Sequence, residues 1–287
     1  QRQMCIRDRR YIHAADIEHA VAELCITACC CVPADVMAAL EKALFVEAEG
    51  GAARAVLNQI IENHKLAAER MRPCCQDTGL AVVFLDVGLD VHIEGDVYCA
   101  VNKGVKRGYE SGFLRKSVLN AITRANTQDN TPAVIHVRFV AGDKLRIAVA
   151  PKGFGSENKS RLFMLDPSQG VDGIVESIVK TVLDAGASAC PPVVVGVGIG
   201  GTMEAAALLA KRQLLRPLGA PSPDTRIAGI EREALELINK SGVGPMGLGG
   251  ATTALAVHAE ALHTHIAGLP VAVNLQCHAC RHAERTL

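Results

Sequence analysis

The chain of 287 residues contains no tryptophan, three tyrosines and six phenylalanines, so aromatic side chains supply little of its core. It also has no excess of either charge, because 30 lysines and arginines balance 30 aspartates and glutamates. This balance argues against a nucleic-acid or acidic-membrane partner held by general electrostatics. With 49% apolar residues, the composition is typical of a globular protein whose core consists of Ala, Val, Leu and Ile.

Long hydrophobic runs are also lacking. Apolar stretches such as residues 193–197 and 269–273 are far shorter than the ~20 residues that span a bilayer, so we expect no transmembrane helix. Residues 1–9 carry no apolar signal segment, and positions 4–9 resemble the translation of an adapter used in DNA library preparation. We leave residues 1–9 out of the fold and expect one domain at residues 10–287.

Cysteine, in contrast, is plentiful. The eleven cysteines are an odd number, and no regular spacing among them indicates a framework of disulfides. A reducing cytoplasm fits this usage best, and it leaves thiolates free to bind metal.

The hydrophobic periodicity predicts an α/β fold, with an N-terminal helical subregion packed on a mixed α/β core. Helical patterns occupy residues 14–64, where three amphipathic segments follow one another. We then expect buried strands at residues 80–87, 193–197 and 269–274 and a hairpin of residues 133–140 and 144–149. Further helices are expected at residues 96–109, 171–185, 202–215 and 226–240, and a short one after Cys277.

Three cysteines stand beside predicted strands. Cys75 begins the turn Cys75-Gln76-Asp77-Thr78-Gly79, Cys190 precedes two prolines and a strand, and Cys277 follows a strand. Cys277 and Cys280 form a CxxC pair, which could be half of a zinc site or a redox pair. Thiolates from three separate loops also suit an iron–sulfur cluster in which one iron stays open and acts as a Lewis acid. The residues alone leave these readings open.

The segment 196–201 has the spacing GxGxxG, which raises the alternative of a dinucleotide-dependent oxidoreductase. A dinucleotide-binding unit would continue with a second strand that ends in an acidic residue about 20 positions on. Here the chain has Arg216-Pro217-Leu218-Gly219-Ala220-Pro221 instead, so the motif is a weak indication of such a cofactor.

Several motifs in order along the chain resemble those of the class I fumarate hydratases, the iron–sulfur hydro-lyases that also include L-tartrate dehydratase. The resemblance covers residues 10–287 and concerns the α subunit or N-terminal domain. Its motifs are Cys75 to Gly79, Arg107-Gly108-Tyr109, Leu114 to Ser117, Asn130 to Ala133, Pro151 to Asn158, Cys190-Pro191-Pro192, Gly198 to Met203, Gly249-Gly250 with Thr252-Thr253, and His265 to Asn274 with Cys277-His278 and Arg281-His282.

This resemblance implies that Cys75, Cys190 and Cys277 hold a [4Fe-4S] cluster, and that Cys74 and Cys280 do not. It further implies a set of residues that meet a dicarboxylate substrate, namely Gln76, Asp77, Arg115, Gly155 with its loop, and His265. Asp77 and His265 are the residues expected to act in catalysis.

The activity implied is the reversible hydration of fumarate to (S)-malate, with L(+)-tartrate dehydration as the alternative. A β subunit is expected to carry the C-terminal catalytic domain and the catalytic base, so the chain would be active only as part of a heteromer. We expect cytoplasmic oligomers of αβ units that bind neither nucleic acid nor membrane.

Overall fold

The computed structural model describes residues 10–287, so the predicted artefact at residues 1–9 lies outside the described residues. The chain alternates helices and strands, which confirms the predicted α/β class. Its described residues form two compact units, each assembled from separate stretches of sequence. One unit comprises residues 10–31, Leu66–Lys152 and Arg281–Leu287, and the other comprises Val32–Lys65 and Gly153–Cys280.

The first unit is built on a four-stranded sheet. The elements of this unit are β1 (Arg10–His13), α1 (Ala14–Cys30), β2 (Leu80–Gly88), β3 (Val91–Glu94), α4 (Val97–Ser111), β4 (Val134–Val140), β5 (Leu145–Lys152) and β10 (Ala283–Thr286). The strand order is β10-β5-β2-β4, and β1 pairs with β3 in a separate parallel pair. Helices α1 and α4 pack together, and their apolar residues join alternate residues of β2 and β5 in one core.

Strands β4 and β5 do not form the predicted hairpin. Strand β2 lies between them and pairs with β4 in parallel and with β5 in antiparallel register. Eight of the nine residues of β2 are buried, so this strand needs a partner on each side and occupies the centre of the sheet. The predicted short helix after Cys277 is also wrong, because a turn leads there directly into β10.

The second unit contains a four-stranded sheet in the order β6-β9-β7-β8. Its elements are α2 (Ala34–Val46), α3 (Ala52–Arg70, of which the residues up to Lys65 belong here), α5 (Phe154–Glu157), β6 (Arg161–Leu165), α6 (Gly170–Ala185), β7 (Val193–Ile199), α7 (Met203–Gln213), α8 (Thr225–Lys240), β8 (Ala254–Ala261) and β9 (Leu269–Gln276). Every residue of β7 is buried, as the apolar run at residues 193–197 predicts. Helices α6 and α8 share a core with the sheet, and α7 packs on β7 and β9.

A polar cluster lies inside this second unit. Arg216 forms an ion pair with Glu231, whose carboxylate also accepts the backbone N–H of Ala259 at 2.7 Å. His258 is buried beside it, and its Nδ1 donates to the carbonyl of Gln213 at 3.3 Å. Burial, together with the neighbouring Arg216 guanidinium, lowers the pKa of His258 to about 4. The imidazole is therefore neutral in the folded protein at neutral pH.

The segment Ala14–Val46 is long and apolar enough to cross a membrane by length and composition, with a mean hydropathy of 1.7. Single polar residues interrupt its apolar runs, so the expectation that no helix could span a membrane did not take this segment into account. The structure divides the segment into α1 and α2, and half of its most apolar window is buried. Core helices have the same composition, so this burial accounts for the hydropathy.

Candidate active site

Two of the three predicted ligand cysteines lie at one end of the second unit's sheet. Cys190 precedes β7 and Cys277 follows β9, and the antiparallel register pairs Val194 with Gln276. The start of β7 and the end of β9 are therefore neighbours. The backbone N–H of His278 donates to the carbonyl of Cys190 at 3.3 Å, and both thiols are partly exposed. We call this region the thiol end of the sheet.

The predicted substrate loop reaches the same end. Helix α5 packs on the short turn Gly186–Ala189, which leads directly into Cys190. A Cβ added to Gly155, which is exposed, would lie 3.7 Å from the carbonyl oxygen of Ser188. The structure thus brings Gly155 close to the backbone beside Cys190.

A network of polar side chains joins this loop to β9. The carboxylate of Glu157 forms an ion pair with Lys211 and accepts the amide of Asn274 at 2.9 Å. The same amide donates to the Ser160 hydroxyl at 3.2 Å, and that hydroxyl accepts the backbone N–H of Leu275 at 3.0 Å. These contacts fix the end of β9, and with it Cys277, relative to the loop. The signal that sequence reasoning missed is a buried asparagine inside a largely apolar strand.

The third predicted ligand lies in the first unit, in the turn before β2. Cys75 is partly exposed there, with its Sγ 3.6 Å from Oε1 of Gln76. The Oδ1 of Asp77 accepts the backbone N–H of Gly79 at 3.0 Å, which fixes the carboxylate over the turn. The carbonyl of Asp77 in turn accepts Nη1 of the buried Arg281 at 2.6 Å.

Arg115 is held beside this turn through its backbone. Its carbonyl accepts the Thr78 hydroxyl at 2.9 Å, while its side chain is exposed. The amide of the buried Asn130 donates to the Gly79 carbonyl at 3.2 Å, and its oxygen accepts the N–H of Ser117 at 2.7 Å. The first unit therefore brings the Gln76–Asp77 turn and the Arg115 segment together. Asn130 holds both and was not among the predicted site residues.

Tyr109 also supports the turn, and sequence reasoning did not assign it a role. Its hydroxyl donates to the carbonyls of Thr78 at 2.8 Å and Gly79 at 3.0 Å. The side chain is fully buried, and burial raises the pKa of the phenol well above its ordinary value. Tyr109 thus acts as a neutral hydrogen-bond donor.

Burial separates the candidate thiols from their neighbours. Cys74 and Cys280 are buried, whereas the adjacent candidates Cys75 and Cys277 are partly exposed. The thiol of Cys280 lies 3.8 Å from the carbonyl of Leu214, among core side chains. Burial also raises the pKa of Cys29 to about 12, so its thiolate is disfavoured.

Among residues 10–287, no group of three or more His, Cys, Asp or Glu side chains converges closely enough to hold a single metal ion. The ligands of a four-iron cluster bind different iron atoms, so they need not meet at one point. The donor chemistry at the thiol end suits such a cluster, because Cys190 and Cys277 carry soft thiols that are partly exposed.

His265 lies at the opposite end of the same sheet. It belongs to the exposed turn between β8 and β9, and its Nδ1 accepts the backbone N–H of Ala267 at 3.2 Å. The whole of β9 separates it from Cys277, which is about 25 Å at ~3.3 Å per strand residue. Within this unit the structure does not bring His265 to the thiols.

The GxGxxG glycines serve packing. A Cβ at Gly196 would lie 2.1 Å from the carbonyl oxygen of Ala210, and one at Gly198 would lie 2.1 Å from that of Ala206. Both oxygens belong to α7, so the missing side chains let this helix approach β7 closely. Because α7 fills this space, these two glycines are not available for a dinucleotide.

Comparisons with known proteins agree with the motifs. The model of the family described as fumarate hydratase (Fumerase) matches residues 18–286. A putative L(+)-tartrate dehydratase subunit alpha from Methanocaldococcus jannaschii is 41% identical over 278 residues, which are 94% of this chain and 97% of that protein. The L(+)-tartrate dehydratase subunit alpha of Escherichia coli K12 is 32% identical over 230 residues, 79% of this chain and 76% of that one. The chain therefore belongs to the class I fumarate hydratase and L(+)-tartrate dehydratase family of hydro-lyases, as an α subunit.

Proposed function

We propose that the chain is the α subunit of an enzyme that reversibly hydrates fumarate to (S)-malate. The meeting of Cys190, Cys277 and the Gly155 loop at the thiol end of one sheet carries this proposal. L(+)-tartrate is the second candidate substrate, because the similar α subunits from M. jannaschii and E. coli are named for it. Malate and tartrate differ by one hydroxyl group, so one arrangement of carboxylate-binding groups serves either.

The proposed cofactor is a [4Fe-4S] cluster with Cys75, Cys190 and Cys277 as its ligands. When bound, a cluster with three protein ligands supplies one open iron as a Lewis acid toward a substrate oxygen. Cysteine thiols are what such a ligand set needs, and Cys75, Cys190 and Cys277 are thiols that are partly exposed. A reducing compartment keeps them so, and we therefore place the protein in the cytoplasm.

The chain's own residues position the dicarboxylate in this proposal. The Arg115 guanidinium offers a planar pair of N–H donors to one carboxylate, and the Gln76 amide and the Gly155 loop donate further hydrogen bonds. His265 donates to a carboxylate as well. These contacts would fix the orientation of the C–O bond that forms or breaks.

Asp77 acts in the proton transfer. Hydration adds hydroxide to one alkene carbon and a proton to the other, and dehydration reverses both steps. The Gly79 N–H fixes one oxygen of the Asp77 carboxylate, so this group can orient the proton-carrying base or exchange a proton with it. We place that base in a β subunit, in keeping with the subunit names of the similar proteins.

Anaerobic co-expression of the chain with its β subunit tests the proposal. The complex should be brown, contain about four irons per α chain, and convert fumarate to (S)-malate or dehydrate L-tartrate. Steady-state kcat/KM values for malate and L-tartrate, measured on one preparation, decide between the two substrates. A colourless, iron-free complex, inactive on both after reconstitution with iron and sulfide, would contradict the proposal.

A further inference from the structure

A buried histidine lies on the apolar face of α3. Within the second unit, the buried positions of this helix recur at helical spacing and form one face, namely Ala53, Leu57, Ile60, Ile61 and His64. His64 is 2% exposed and is the polar side chain of this set. Buried polar groups in a core are hydrogen-bonded to specific partners, so packing alone does not explain a histidine at this position.

His64 contacts the residue that follows a proposed cluster ligand. Its Nε2 lies 3.3 Å from Nδ1 of His278, and the two ring centroids are 5.4 Å apart with an interplanar angle of 52°. One of these nitrogens carries the proton and donates, and the other accepts the hydrogen bond. His278 is partly exposed, so this bond joins the interior of the unit to the thiol end of the sheet.

The backbone of His278 lies between the two proposed ligands of this unit. Its N–H donates to the Cys190 carbonyl at 3.3 Å, and Cys277 precedes it in the chain. The N–H of Cys280 donates to the Cys277 carbonyl at 3.0 Å, which closes a four-residue turn with His278 at its second position. His278 thus links the backbones of Cys190 and Cys277.

Helix α3 also packs behind this turn. Its apolar residues share one buried core with Val194, near the start of β7, and with the side chain of Cys280. The turn is therefore attached to the second unit's interior by apolar packing and by the hydrogen bond between His64 and His278. Apolar packing is not directional, whereas a hydrogen bond fixes the orientation of the imidazole ring.

We propose that His64 is a positioning residue of the cluster site. The inference rests on the proposed function, in which Cys190 and Cys277 are cluster ligands. The hydrogen bond from α3 holds His278, and His278 keeps the two ligand backbones at one spacing. The ligand set is thereby preorganised, so the chain retains iron more tightly than it would with the same thiols on a mobile turn.

Variants of position 64 that differ in reach test this role. The glutamine amide extends about as far as Nε2 of histidine, whereas the asparagine amide ends near the position of Nδ1. His64→Gln should therefore keep the hydrogen bond to His278, and His64→Asn should lose it. Groups that orient metal ligands typically contribute 10- to 100-fold to metal affinity, so the His64→Asn αβ complex should release iron to an anaerobic chelator about 10- to 100-fold faster than wild type. His64→Gln should release iron at close to the wild-type rate.

A double-mutant cycle and a stability control separate positioning from general destabilisation. If His64 acts through His278, the double variant of His64→Asn and His278→Ala should release iron no faster than His278→Ala alone. Independent effects would multiply instead. Leu57→Ala removes a buried side chain from α3 two turns away, so it should lower the urea midpoint and leave the iron-release rate unchanged.

The contrary outcomes are distinct. Wild-type release rates in His64→Asn, or equally fast release from His64→Gln and His64→Asn, would overturn the proposal. Multiplied effects in the double variant, or release from Leu57→Ala as fast as from His64→Asn, would overturn it as well. A wild-type complex without iron after anaerobic reconstitution would instead refute the proposed function, and the inference with it.

Discussion

Substitution of Gly79 tests how tightly the Cys75–Gly79 turn is fixed. Gly79 has a φ of +74°, and a Cβ there would lie 2.7 Å from the backbone carbon of Lys152 in β5. Lys152 is paired in the sheet with Leu80, so its backbone has little freedom to move. An alanine side chain therefore meets two penalties, the unfavourable left-handed conformation and the steric overlap.

Gly50 separates the two penalties. It has the same φ of +74°, but a Cβ there has no heavy atom within 4 Å. Gly50→Ala should lower the free energy of unfolding by about 1–2 kcal/mol, because alanine is unfavourable in the left-handed conformation and no steric overlap is added. Gly79→Ala adds an overpacking term of about 1–3 kcal/mol, so we expect roughly 2–5 kcal/mol in total. Relief of the overlap would also displace the Asp77 carboxylate, which accepts the Gly79 N–H.

Both variants are made in the αβ complex and compared by urea unfolding and by iron content under anaerobic conditions. Gly79→Ala should have the lower urea midpoint and should lose iron and activity, while Gly50→Ala retains both. Equal midpoints and full iron occupancy in the two variants would refute the reasoning, because the overlap with Lys152 would then have no consequence.

Three further predictions concern the cofactor, the catalysis and the pH dependence of stability. Serine at any of the three proposed ligand cysteines should abolish the visible absorbance and the bound iron, whereas Cys74→Ser and Cys280→Ser should keep both; iron loss from Cys280→Ser with retention in Cys277→Ser would reverse the assignment. Asp77→Asn should keep iron and lose ~10²- to 10⁴-fold in kcat, with both measured on the same samples. A kcat near the wild-type value would show that Asp77 only stabilises the turn and has no role in proton transfer. The folded-state pKa of His258 is depressed from 6.5 to about 4, so the unfolded chain takes up the proton first and stability falls as the pH drops through this window. Urea titrations between pH 7 and pH 4 should show a loss of about 3 kcal/mol from this group, absent in His258→Gln.

The sequence predicted the elements well where burial is continuous and local. The apolar runs that became β2, β7 and β9 are strands, and the predicted helices at residues 171–185 and 226–240 coincide with α6 and α8 within one residue. The hairpin prediction was wrong because β4 and β5 pair with a strand that is remote in the sequence and not with each other. Residues 133–149 have the alternation and the short Gly-containing turn of a hairpin, but β2, about 50 residues earlier, needs both neighbouring positions.

For the candidate site too, local motifs could be predicted from the sequence and non-local contacts could not. Cysteines in recognisable motifs could be found in the sequence, but the partial exposure of Cys277 and the burial of Cys280 could not be read from their spacing. The contacts that orient the site could not be found, because their partners are remote along the chain. Glu157 bonds Asn274 across 117 residues, and the backbone of Asp77 bonds Arg281 across 204.

Glu47 shows how such remote contacts support the thiol end of the sheet. This buried carboxylate follows α2 and accepts the backbone N–H groups of Ala251 and Thr252 at distances of 2.8 to 3.1 Å. The next residue, Thr253, accepts the N–H of Val193 at 2.9 Å, three positions after Cys190. Hydrogen bonds to a charged group are the stronger ones, at about 1.5–3 kcal/mol. The Glu47 side chain thus fixes residues 251–252, and the next residue, Thr253, is hydrogen-bonded to the start of β7, close to Cys190.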